Sequence, residues 1–148
     1  VPDIDRDFPM TIDFASGLYF HRESGGVLLG MADPKEPVAF DQSVNWDFLP
    51  VVVERALARV PALGHAAIRT GWAGLYEDTP DRHPIIGPAG PDGLLVCAGF
   101  SGHGFMHAPA AGELVAELVV DGRTTLDLGA LRASRFVSGE LVSEHNVV

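Results

Sequence analysis

The stretch "AGFSGHGFMHAPAAGELVAEL", residues 98–118, gathers Gly99, Gly102 and Gly104 with His103 and His107, and an alanine- and leucine-rich run follows at once. A helix starting there leaves several backbone N–H groups without intrahelical partners and carries about half a unit of positive charge at its end. Glycines without a Cβ let another group approach the backbone closely. Together these features describe a seat for something flat or anionic resting on the amides from Gly102 to Met106, with Phe105 in between. The same pattern also serves as a tight turn between two packed elements, and the residues alone leave both open. It is not the dinucleotide fingerprint. Phe105, Met106 and His107 follow Gly104 where x-x-Gly is required, and no acidic residue ends a second strand about 20 positions on.

The other chemistry-bearing residues read more simply. His103 and His107 share a helix face, but the further ligands of a metal site and the metalloprotease glutamate are missing, so no metal is expected. Cys97, the single cysteine, falls in an apolar run and reads as a small core residue. Asp78 and Asp81 flank Thr79-Pro80 and read most simply as turn organisers that bond to backbone, with paired-carboxylate chemistry the weaker alternative.

The elements that must hold these residues follow from periodicity and punctuation. "MTIDF", "GLYFH" and "GVLLG", separated by Gly17 and Ser24-Gly25-Gly26, predict an antiparallel meander. "NWDFLPVVVERALARVP" predicts a helix with Pro50 in its first turn and a stripe of Val52, Val53, Ala56, Leu57 and Val60, stopped by Pro61. "AAIRTGWAGLYE" predicts a return to strand, broken by Gly71 and Gly74. "DTPDRHPIIGP" predicts a turn and a short strand, and "GLLVCAG" a strand covered on both faces. The closing helix is expected to have Pro109 in its first turn, a buried stripe of Leu114, Val115, Leu118 and Val119, and a left-handed cap at Gly122. From Thr124 onward the pattern is weak.

Length and charge bound the function. The 148 residues carry Lys+Arg 10 against Asp+Glu 20, a formal net charge of −10. Such a chain repels phosphate backbones and anionic membranes, which argues against nucleic acid as a partner. No run approaches the roughly 20 apolar residues of a membrane span, and the acidic opening "VPDIDRDFPM" is unlike a secretory signal. A lone cysteine fits a reducing, cytoplasmic setting. The first residue is Val, and mean hydropathy is +0.17. Both are expected of a piece of a larger protein.

"GWAGLYEDTPDRHPIIGP" followed by "GLLVCAGFSGHGFMHAPAAGELVAEL" resembles the C-terminal part of the FAD-dependent amine oxidoreductases, the group of glycine oxidase, monomeric sarcosine oxidase and the β-subunits of sarcosine oxidase and proline dehydrogenase. "GLYFHRESGGVLLGM" resembles the end of that family's substrate domain. The resemblance implies a mixed α+β, α/β class: a partial flavoprotein fold of antiparallel substrate-domain strands plus the strand–turn–helix of the FAD-binding domain. It implies that residues 1–70 belong to the substrate-binding domain and 71–148 to the FAD-binding domain, with the N-terminal βαβ dinucleotide unit absent. It also implies that the turn Gly102, His103, Gly104, Phe105, Met106 lies beside the flavin ring, its amides facing the edge that gains negative charge on reduction.

Departures from the family sharpen the expectations. Where some members carry a cysteine tethered to flavin, this chain has Gly74, which implies non-covalent FAD. The arginine and the lysine that hold substrate carboxylates in glycine oxidase and monomeric sarcosine oxidase are replaced by Tyr76 and Met106. A carboxylate anchor would come from the rest of the flavoprotein or another subunit. Met106 is most like the β-subunit and proline dehydrogenase branch, whose subunits assemble into larger complexes. The expected activity is hydride removal from the carbon next to nitrogen in a small amine or N-alkyl amino acid. Tyr76 is expected to line the pocket, and His103 to sit near the flavin through hydrogen bonds rather than act as an obligatory base. The rival is a binding or assembly module of this fold without flavin, itself inactive.

Overall fold

The computed structural model describes residues 4–5 and 7–142. It has two compact units, one running up to Leu75 and the other from Tyr76 onward. The mixed α/β class with antiparallel strands is the one expected from the sequence.

In the first unit, strands β1 (Thr11–Asp13), β2 (Leu18–Glu23) and β3 (Gly26–Gly30) form the antiparallel meander in sequence order. β2 pairs with β3 in the register Tyr19↔Gly30 to Glu23↔Gly26, across a tight turn in which Ser24 (φ 47°) and Gly25 (φ 78°) are left-handed. Leu18 and Phe20, two apart and so on one face, are buried, and they form the core with Ala56 of helix α1 (Leu49–Arg59). Val52, Val53, Leu57 and Val60 flank Ala56 as a half-buried stripe, as the spacing predicts. Asn45 caps a short 3-10 turn, Trp46–Phe48, that leads into α1, and Pro50 sits in the first turn of that helix. At its far end Arg59 grips Asp13 through two bonds, Nη2–Oδ1 2.9 Å and Nε–Oδ2 3.2 Å, tying the helix to the end of β1.

The expected strand over "AAIRTGWAGLYE" does not form. Residues 66–77 carry no ladder among the described residues, and Ile68, Trp72 and Leu75 are exposed. A strand exists only where a neighbour accepts its backbone bonds, and the apolar composition here does not supply one.

In the second unit, β4 (Ile85–Pro88) and β5 (Leu95–Ala98) make an antiparallel ribbon in the register Ile85↔Ala98 to Pro88↔Leu95. Helix α2 (Gly104–Asp121) packs on it and ends at Gly122 (φ 66°), the left-handed cap read from the sequence. Three expectations change here. Among the described residues β5 has one neighbour, so a run apolar enough for two-sided cover keeps surface they do not bury, and Cys97 is exposed rather than a core residue. The buried stripe of α2 runs through Ala111 and Leu114 to half-buried Val115 and Leu118, while Val119 is exposed. Pro109 lies inside α2 rather than in its first turn, because the helix starts at Gly104. Its missing N–H leaves the Phe105 carbonyl without the usual bond. Beyond α2 the chain makes a 3-10 turn, Gly129–Leu131, and the short helix α3 (Arg135–Ser138).

Candidate functional site

β5 delivers the chain into the turn through three left-handed residues, Gly99 (φ 75°), Ser101 (φ 49°) and Gly102 (φ 90°). The His103 N–H bonds Phe100 O at 2.9 Å and closes the turn, and the His107 N–H reaches His103 O at 3.3 Å as the helix begins. His103 is the N-cap of α2 and makes no side-chain capping bond. The first-turn amides of α2, from Gly104 through Met106, thus have no intrahelical partner and none from the N-cap side chain, at the positive end of an 18-residue helix. Phe105 and Met106 beside them are exposed, Phe105 almost completely. The rings of His103 and His107 lie 6.0 Å apart.

The steric account of the glycines changes. A Cβ at Gly102 would stand 3.3 Å from Tyr76 Cζ, one at Gly104 would stand 3.3 Å from Phe100 Cβ, and one at Gly99 would fall 2.4 Å from Thr79 Cγ2. Each bare Cα makes room for an atom of this chain. Gly104 is helical, and the positive backbone angles sit at Gly99, Ser101 and Gly102. The electrostatic half of the expectation is untouched by this: the amides stay uncapped.

The turn brings together Tyr76, Gly102, His103, Gly104, Phe105 and Met106, with the Tyr76 ring, itself half exposed, packed on Gly102. Gly74 belongs to the first unit and has open space where a side chain would project. The sequence does not reveal the support behind the turn. Ser101 is buried, its hydroxyl donating to Gly99 O at 3.3 Å and accepting from the Thr79 N–H at 3.4 Å. Asp81 is buried and accepts from the His83 N–H at 3.3 Å, the turn-organising role read from its position. It also meets Arg135, fully buried, in a two-pronged pair, Nε–Oδ2 2.7 Å and Nη2–Oδ1 2.9 Å. The hydrogen bonds from Arg135 hold the Asp81 carboxyl well below its ordinary range, at about 2. Arg135 lies 54 residues away in a stretch of weak pattern, so no local signal connects the two.

The residues present fit a flat group that accumulates negative charge. An uncapped helix start offers fixed donors and a positive dipole end, and the apolar surface of Phe105 and Met106 adjoins it.

Residues 2–118 match the family model of the FAD dependent oxidoreductases. The chain belongs to that family. It is 41% identical over 96% of its length to FAD-dependent oxidoreductase domain-containing protein 1 of Xenopus laevis, covering 30% of that protein. It is 30% identical over 90% of its length to sarcosine oxidase subunit beta of Rhizobium meliloti, covering 32% of it. Its fold matches the crystal structure of L-proline dehydrogenase from P. horikoshii with a TM-score of 0.85 and 38% identity, over 90% of this chain and 36% of the other. The chain thus spans about a third of the relatives it matches. No helix among the described residues is long and apolar enough to cross a membrane.

Proposed function

We propose that this chain is the C-terminal part of an FAD-dependent enzyme that oxidises the C–N bond of a small amine or N-alkyl amino acid. Bound FAD supplies the acceptor for a hydride from the carbon next to nitrogen. The substrate nitrogen loses a proton, the product is an imine, and water converts it to a carbonyl compound and an amine. The amides of Gly104, Phe105 and Met106 would help hold bound FAD, offering donors fixed in orientation before reaction to a group that gains negative charge. Tyr76, packed on Gly102, lines the substrate side of the turn. His103 closes the turn through its backbone bond to Phe100, which sets it beside the flavin, and it is not an obligatory base. With Gly74 in place of a tethering cysteine, FAD is held non-covalently. The substrate strands belong to the first unit and the cofactor wall to the second, which divide between Leu75 and Tyr76. The rest of the flavoprotein, or a partner subunit, supplies the carboxylate anchor and the pyrophosphate site.

The observation that carries this reading is the uncapped start of α2 behind a left-handed turn, in a chain of this family. The test uses the full-length protein. Its absorption spectrum should show bound flavin, and anaerobic addition of N-methylglycine, proline or a related secondary amine should bleach it. A well-folded full-length protein that neither carries nor takes up FAD would favour the non-catalytic module instead.

A further inference from the structure

Arg135 is the most deeply buried charged side chain of the second unit among the described residues, and its bonds lead toward the turn. Besides its two bonds to Asp81, Nη2 donates to His83 O at 2.7 Å and Nη1 to Arg132 O at 3.1 Å. The guanidinium lies 4.1 Å over the Phe136 ring. The Thr79 hydroxyl, aimed at His83 O (2.7 Å) with Asp81 Oδ1 at 3.2 Å, joins the same cluster. From Thr79 the contacts pass to the candidate site directly. Its N–H reaches Ser101 Oγ, and its methyl fills the space that a side chain at residue 99 would need. Gly99 and Ser101 are two of the three left-handed residues that aim the start of α2.

We infer that Arg135 is a positioning residue for the cofactor-facing turn, acting from α3 through Asp81, Thr79 and Ser101 to set the direction of the α2 amides. A planar fork suits this task. It fixes both carboxylate oxygens and the His83 carbonyl at once, and so fixes the plane of the 79–83 turn, which a point charge on a flexible stem does not. The inference rests on the flavin-binding reading of the turn.

The test is made in the full-length protein with Arg135→Met, Arg135→Lys, Ser101→Ala, the double variant Arg135→Met/Ser101→Ala, and Ile86→Ala. The last empties a buried site on β4 and serves as a control for stability loss. FAD affinity and flavin midpoint potential are measured at a temperature where every variant compared retains its native circular dichroism. Arg135→Met is expected to weaken FAD binding by roughly tenfold, the order associated with losing a set of charge-assisted bonds. It should also make the potential more negative. Arg135→Lys should fall between it and the wild type, and Ile86→Ala should change neither quantity at equal stability. If Arg135 acts through Ser101, the double variant should show less than the sum of the single effects. If Arg135→Met cannot be recovered folded, Arg135→Lys and its combination with Ser101→Ala carry the comparison. An Arg135 variant that matches Ile86→Ala in both readouts, or strict additivity with Ser101→Ala, overturns the inference while leaving the flavin reading intact. A wild-type protein without flavin overturns both.

Discussion

Two glycine-to-alanine substitutions ten residues apart in the same turn–helix unit, Gly102 in the turn and Gly112 inside α2, should change stability in opposite directions. Gly102 has φ +90°, and a Cβ there would stand 3.3 Å from the Tyr76 ring. An alanine side chain in the left-handed region costs about 1–2 kcal/mol, and the tight contact adds to that unless Tyr76 shifts by a few tenths of an ångström. Gly112 sits inside α2 with no heavy atom within 4 Å of a new Cβ. Alanine there gains about 0.5–1 kcal/mol, because glycine gives up more backbone freedom on entering a helix. The difference between the two variants should therefore be about 2 kcal/mol or more. Denaturant unfolding of the full-length variants, followed by circular dichroism, measures the stability change, and flavin absorbance follows the site. Gly102→Ala should also loosen FAD, since moving Tyr76 or the turn redirects the α2 amides, while Gly112→Ala should leave FAD binding unchanged. Equal shifts of the same sign would refute the backbone geometry assigned to Gly102. Loss of stability with undisturbed flavin would refute its connection to the site.

Other outcomes follow from the same structure. The depressed Asp81 carboxyl, about 2 against an ordinary 3.8, contributes stability that is present above about pH 4 and is lost as pH falls through about pH 2. The contribution is on the order of 2 kcal/mol, so the stability gap between wild type and Asp81→Asn should narrow over that window in denaturant titrations, and a constant gap would contradict the pairing with Arg135. Because Gly74 offers no nucleophile, denaturing the full-length protein should release its FAD into the supernatant. Flavin retained by the precipitate would refute non-covalent binding at this position.

Elements whose signals are local can be read directly from the residues. The meander is written in three short β-rich runs with glycine turns between them, and α1 in the spacing of Val52, Val53, Ala56, Leu57 and Val60, whose burial the structure repeats. Gly122 announced the end of α2 because a left-handed cap has a strong residue preference. The family, too, was legible in the glycine–histidine turn and the order of its motifs. Features that depend on neighbours emerge only in the folded chain. Among the described residues, 66–77 have strand composition but no ladder, and Cys97 has an apolar setting in sequence yet is exposed, because β5 pairs on one side. The glycines of the turn are small for reasons set by Thr79, Tyr76 and Phe100, which no spacing rule connects to them. Asp81 and Arg135 find each other across 54 residues. A buried charge demands a partner but carries no local mark of which one, so only the folded chain could name it.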